Sequence, residues 1–391
     1  MSQPEHALKT LMIDWRHQLH QYPELGSEEH VSSQFIAEKL ESFGINVVRN
    51  IGRTGLIGIL NKGKSETSIG LRADMDALQI HEKNTFDHRS LNDGKMHACG
   101  HDGHSTMLLG AAKHLAEQGE FDGTVYFIFQ PDEEHGQGAK AMIKDGLFER
   151  YKIDSVYGLH NMPGLAQGCF AIRPGPIMAS ESNFEIKLTG AGGHAAQPHM
   201  GVDIMLLGAE IVIALQKIVS RQLSCLNQPA VVSVTEFITN GTVNVLPSNI
   251  TVKGDCRCFT DEVLHIIKNS MQRIVAGLCE AAGASYEFNF NNSFLSTINN
   301  PKQTQHAIQA AIDVFGTDNV NSNCEPYPVS EDFSSMLAIK QGCYGLIGNG
   351  IESIGGCALH NPNYDFNDDI LLNGASYWVR LVENQLIEQY K

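Results

Sequence analysis

Residues 124–129, Thr-Val-Tyr-Phe-Ile-Phe, form a nearly unbroken apolar run that stops at Gln130-Pro131. A strand apolar on both faces is stable only inside a sheet covered on both sides, the arrangement that parallel strands with crossover helices produce. The neighbouring sequence supplies such helices. Leu8, Leu11, Met12, Trp15 and Leu19 recur at helical spacing up to Pro23. A second helix is expected over 27–43, with Glu28 and Glu29 in its first turn and Gly44 as its stop. Further helices are expected over 105–118 and 139–144, and β-rich runs at 45–48, 55–60, 68–73 and 155–159. This alternation predicts an α/β fold with a mixed, mainly parallel sheet flanked by helices. Ligand-binding residues in such sheets gather beyond the carboxyl ends of the strands.

The rhythm changes near residue 180. Strand 184–188, helix 203–220, strands 230–237 and 249–259, helix 261–282 and strand 285–290 follow in turn. That β-α-β-β-α-β order is ferredoxin-like. It predicts an inserted α+β domain at 180–293 within a discontinuous first domain, 1–179 and 294–391. The first domain resumes with helix 301–315, strand 343–347, a glycine-rich loop over 348–356 and an amphipathic helix from about 368.

A chain of 391 residues can bury two separate cores. Its formal charge of −16 disfavours nucleic acid or an anionic membrane as partner. No apolar run approaches the roughly 20 residues that span a bilayer, and the N-terminal residues show no secretory signal. Nine cysteines, an odd number without a paired framework, suit a reducing cytoplasm.

The chemistry concentrates in Met96-His-Ala-Cys-Gly-His-Asp-Gly-His104. Thiolate, imidazole and carboxylate are the usual ligands of borderline divalent metals. In an extended segment, residues two apart point the same way, so Cys99 and His101 can hold one metal between them. More ligand types recur where strands are expected to end. They are Asp74 and Asp76, Glu133 and Glu134, His160 and, after the last strand, His360. Of two adjacent acids one can bind metal while the other faces substrate, although a surface pair reads the same way locally. Cys99, His101, Glu134, His160 and His360 are too many for one tetrahedral catalytic zinc with an open position. Two metals sharing a bridging group, roughly 3.5–4 Å apart, would use them. In the inserted domain His194 lies among small residues, and Asn244 lies in a loop joining two strands. Arg257 shares a strand face with Asp255, suited either to an ion pair or to a substrate carboxylate.

Taken together, His-Ala-Cys-Gly-His-Asp-Gly-His, Phe-Gln-Pro-x-Glu-Glu, Gly-Leu-His-Asn, Gly-Gly-His-Ala-Ala-x-Pro-His and Leu-His-Asn-Pro resemble the hippurate hydrolase-like N-acyl-amino-acid amidohydrolases. That group includes the plant auxin-conjugate hydrolases and lies within the aminoacylase and carboxypeptidase G superfamily. The resemblance implies that Cys99, His101, Glu134, His160 and His360 bind two divalent ions (Zn, Mn, Co or Ni) and that Glu133 is the general base. It implies that His194 steadies the oxyanion, often across a dimer interface, and that Asn244 and Arg257 touch substrate. A homodimer, or a tetramer built from dimers, is implied too. Where the wider superfamily has His-x-Asp this chain has Asp74-Met-Asp76, as in the cysteine-containing branch, leaving Asp76 as a partner behind a metal-bound histidine. The expected substrate is a small N-acyl-L-amino acid. The rival readings are a metallo-dipeptidase or carboxypeptidase, a non-catalytic metal or amino-acid binder, and a Cys99 nucleophile.

Overall fold

The computed structural model describes residues 3–352 and 355–386, so positions 353 and 354 of the expected glycine-rich loop lie outside it. The chain divides into two compact units, 1–177 with 298–325 and 332–391, and 178–297 with 326–331. The segment 326–331 belongs to the second unit although it lies beyond the range 180–293 expected from the repeat of strands and helices.

The first unit is built on an eight-stranded sheet. Its centre runs Gly123–Gln130, Ser68–Asp74, Ser155–Pro163 and Gln341–Gly350, all mutually parallel. Antiparallel pairings occur only toward the margins, where Leu56–Lys62 joins Gly123–Gln130 and Asn46–Arg49 joins Leu56–Lys62. Phe170–Ala171 also runs antiparallel to Gln341–Gly350. Every residue of Ser68–Asp74 is buried, as a strand covered on both faces requires. The helices Gln3–Gln21, His101–Glu117 and Leu371–Gln385 pack together over the sheet through Met12, Trp15, Met107, Leu108, Trp378 and Leu381. Leu11, counted in the helical stripe, stays exposed.

Three local expectations change. The second helix begins at His30, not near 27, and Glu28 and Glu29 precede it. Its free amides at Val31 and Ser32 are held instead by the Glu24 carboxylate, at 3.0 and 2.8 Å. The third helix begins at His101 rather than Ser105. His160 lies inside Ser155–Pro163 rather than at its tip, because pairing with Gln341–Gly350 extends that strand past it.

The second unit has a four-stranded antiparallel sheet in the order Ala230–Thr239, Asn249–Cys258, Ser180–Thr189, Ser285–Phe294. The helices Ile204–Lys217 and Asp261–Ala282 complete the ferredoxin-like unit. Asn249–Cys258 alternates buried and half-exposed residues, as a sheet covered on one face requires. Phe184, Ile186, Val252, Ile211, Ile267 and Met271 form the core beneath the helices. Asp203 and Thr260 cap the two helices by accepting amide hydrogens in their first turns. No helix among the described residues is long and apolar enough to cross a membrane.

Candidate metal centre

The parallel strands of the first unit bring the ligand types together. Ser68–Asp74 ends on Asp74 with Asp76 just beyond, and Gly123–Gln130 runs into the turn that carries Glu133 and Glu134. Gly100 adopts a left-handed φ of 97° immediately before the helix His101–Glu117. A Cβ at Gly100 would sit 2.3 Å from Asn161 Oδ1, so a glycine is needed for the chain to turn so tightly against the strand. Cys99 and His101 therefore meet through a turn into a helix. The extended geometry assumed from their spacing is absent, because a glycine free to take positive φ leaves no trace in an apolar pattern.

Ligand atoms of Cys99, His101 and His160 lie within 4.8 Å of one another, as do those of Cys99, Glu134 and His360, and those of His101, Glu133 and Glu134. Cys99 Sγ is 3.4 Å from His160 Nε2, and Glu134 Oε1 is 3.4 Å from His360 Nε2. The loop bearing His360 is tied down by its amide, which donates to Ala98 O at 2.8 Å.

Hydrogen bonds orient the rings. His160 Nδ1 lies 2.6 Å from Asn161 O, and His101 Nδ1 lies 3.1 Å from Asp76 Oδ1. An Nδ1–H held in this way leaves Nε2 as the ligand atom, the usual support behind a metal-binding imidazole. Asp76 also accepts the Glu134 amide at 3.1 Å, so one carboxylate steadies two candidate ligands. His101 Nε2 is buried without a hydrogen-bond partner. Such an atom costs roughly 1–3 kcal/mol unless something satisfies it. A divalent cation fits that atom and the mixed sulfur, nitrogen and oxygen donors around it.

The electrostatics agree. Burial opposes charge on His101, yet Asp74 and Asp76 push its pKa up to about 10. Carboxylates that favour a proton there favour a cation as well, so metal binding displaces protons. Burial and the neighbouring His104 hold His160 well below its ordinary value, which keeps its lone pair available. Burial works against the Glu134 charge, but His360 and His101 keep that carboxyl below its usual range.

Arg72 and Asp332, which lie around the centre, carried no recognisable signal in the sequence. Asp74 is engaged by Arg72 Nη1 at 2.7 Å and by His104 Nδ1 at 2.6 Å, and His104 Nε2 faces Asn161 Oδ1 at 2.7 Å. Asp74 is thus paired with a guanidinium, and its carboxylate also lies within 4.8 Å of ligand atoms of His101 and His104. Asp332 takes hydrogen bonds from Arg72, Gln130 and the Ala139 amide, and its own amide donates to Glu133 Oε1 at 3.3 Å. Glu133 is itself buried.

Behind the helix start, His20 is fully buried between Asp102 (2.8 Å) and Glu82 (3.2 Å), while Arg16 lies 3.7 Å from Asp102. Burial opposes the His20 charge, but Asp102 and Glu82 outweigh it and push the pKa up to about 9. A folded-state value above the ordinary 6.5 gives stability that is complete below pH 6.5 and disappears as pH rises through about 9. The stability gap between the unsubstituted protein and His20→Gln, measured by urea unfolding, should therefore narrow over that window by on the order of a few kcal/mol. A gap that widens with pH would contradict this ion pair.

The remaining candidates lie in the second unit. His194 and Asn244 come together where the two-residue strand Gly193–His194 pairs antiparallel with Val245–Leu246, about 50 residues further along. His194 pairs with Val245, and Ala195 N–H donates to Asn244 O at 3.0 Å. His194 is exposed. Arg257 lies toward the other end of Asn249–Cys258, where it pairs with Glu181 at 2.9 Å and Asp255 at 3.0 Å. It also donates to Ser330 Oγ at 2.7 Å. The ion pair with Asp255 that its strand face allowed is present.

Comparison with known proteins adds independent findings. Residues 70–384 match Peptidase family M20/M25/M40. The chain is 39% identical over 366 residues to the hippurate hydrolase of Campylobacter jejuni, a match covering 94% of each chain. It is 41% identical over 294 residues to the N-acyl-L-amino acid amidohydrolase of Geobacillus stearothermophilus, covering 75% of this chain and 79% of the other. Among solved structures, the YxeP protein of Bacillus subtilis, described as a dinuclear metal binding peptidase, superposes with a TM-score of 0.85 at 29% identity, covering 97% of this chain and 99% of that one.

Proposed function

The chain belongs to peptidase family M20/M25/M40 and is a metal-dependent hydrolase of amide bonds, and from that premise we propose that it cleaves N-acyl-L-amino acids to a carboxylic acid and an amino acid. The observation that carries the reading is the sharing of Cys99 between two ligand groups, with Glu133 in a third group beside His101 and Glu134. The names of its relatives, which refer to hippurate and to N-acyl amino acids, supply the substrate class.

We assign Cys99, His101 and His160 to one divalent cation and Cys99, Glu134 and His360 to a second. When bound, two such ions (Zn, Mn, Co or Ni) polarise a scissile carbonyl and acidify a water molecule. Glu133 takes the proton from the attacking water and returns it to the departing amine nitrogen. The Asp332 amide fixes the orientation of the Glu133 carboxylate, and burial keeps bulk water from competing for it. His194 is assigned to the developing oxyanion, an interaction worth about 3–4 kcal/mol in comparable sites. Asn244, which precedes the strand paired with His194, is assigned to the substrate, and so is Arg257, whose guanidinium also pairs with Glu181 and Asp255. The proposal extends to a homodimer acting in the cytoplasm.

The test is an assay of metal-reconstituted protein over N-acetyl, N-benzoyl and longer N-acyl amino acids, with dipeptides included. Turnover of one or more N-acyl amino acids, abolished by a chelator and restored by metal, is expected. Faster cleavage of dipeptides would make the chain a dipeptidase, and tight metal binding without any turnover would make it a binding protein.

A further inference from the structure

Glu29 immediately precedes the helix His30–Ser42 and is fully buried, yet its side chain caps no amide of that helix. Its carboxylate reaches across to the turn after Gly123–Gln130. Oε1 accepts the Asp132 amide at 2.8 Å, and Oε2 pairs with Thr54 Oγ1 at 2.5 Å. Asp132 holds a left-handed φ of 50°, a conformation that costs a non-glycine residue roughly 1–3 kcal/mol and needs outside support. The support is dense. Asp132 Oδ2 accepts from Ser27 Oγ at 2.7 Å, Oδ1 lies 2.7 Å from His135 Nδ1, and its carbonyl accepts the Gly138 amide at 3.0 Å. Two residues on, the Glu134 amide is held by Asp76. Glu133 is the residue between these two anchored amides.

We propose that Glu29 is a positioning residue for the reaction, fixing the left-handed turn at Asp132 so that Glu133 and Glu134 point to their separate tasks. The proposal rests on the reading of Glu133 as general base. Its physical content is a hydrogen bond, not a charge. Burial pushes the Glu29 carboxyl up to about 7. In either protonation state Oε1 can accept from Asp132, because the Thr54 hydroxyl can donate to Oε2 or accept from it. A glutamine side chain reproduces both contacts, and an alanine reproduces neither.

Gly26 offers a second route to the same turn. A Cβ there would lie 2.0 Å from Asp132 Oδ1, so Gly26→Ala displaces the Asp132 side chain and leaves Glu29 intact. The experiment compares Glu29→Ala, Glu29→Gln and Gly26→Ala in metal-loaded protein, reading kcat, KM, metal stoichiometry and amide exchange across 131–138. Glu29→Ala and Gly26→Ala should lower kcat by roughly 10- to 100-fold, the penalty for a misplacement near 1 Å, with KM and metal content unchanged. Exchange of the turn amides should speed up in Glu29→Ala, while Glu29→Gln should match the unsubstituted protein in every readout. The proposal is overturned if Glu29→Gln loses as much activity as Glu29→Ala, if Gly26→Ala leaves kcat intact, or if exchange across the turn does not change. Absence of turnover in the unsubstituted protein would instead defeat the reading of Glu133, and the exchange comparison would still decide whether Glu29 holds the turn.

Discussion

Glu133→Gln protein, reconstituted with metal, will hold its full complement of divalent ions and lose most of its turnover. The substitution removes one property only. Glutamine has the same shape, and its carbonyl oxygen can still accept the Asp332 amide that meets Glu133 Oε1 at 3.3 Å. What it cannot do is take a proton from water and surrender it to an amine, a contribution of typically 10²–10⁴-fold. The fall should appear in kcat, with KM little changed, because an interaction made only in the transition state is lost. Metal analysis and amino-acid release, measured on the same sample, separate this outcome from a collapsed site. The neighbouring Glu134→Gln is the control, since that residue shares its ligand group with Cys99 and His360 and its loss should appear first as weaker metal binding. Undiminished turnover in Glu133→Gln would move the base to another residue.

How much of this centre could be read from the chain differs residue by residue. Cys99, His101, Glu134, His160 and His360 are chemically conspicuous, and alternation of strands with helices shows why they converge, since parallel strands deliver their ends to one edge. Arg72 is not conspicuous. It lies within a strand and earns its place through Asp332, 260 residues further along, a pairing no local pattern encodes. Glu29 misled for a related reason. An acid in the first turn of a helix suggests a dipole role, but the helix begins after Glu29, Glu24 holds its first amides, and Glu29 reaches Asp132 instead. The ferredoxin-like unit was legible because its strands alternate and its helices carry caps at Asp203 and Thr260. Membership of 326–331 in that unit was not, because the segment carries no periodicity and is held by pairing, with Tyr327 bridged to Met178.

Removing the sulfur of Cys99 should be the most damaging single change to metal binding. Cys99 is the one residue common to the Cys99–His101–His160 and Cys99–Glu134–His360 groups, so Cys99→Ala takes a ligand from both at once. His160→Ala takes one from the first group only. Metal titration should show both binding events weakened in Cys99→Ala, each by more than the roughly 10- to 100-fold that loss of an outer hydrogen-bond partner costs. In His160→Ala one event should weaken and the other persist. The same variant decides the thiol alternative. A nucleophilic Cys99 would leave metal affinity untouched in Cys99→Ala while turnover vanished, because His101, Glu134, His160 and His360 would still surround the ions. A sulfur that holds the ions predicts the reverse order of loss, with metal released first and activity partly recoverable at high metal concentration. Retained affinity for both ions in Cys99→Ala would break the two-ion assignment at its shared point.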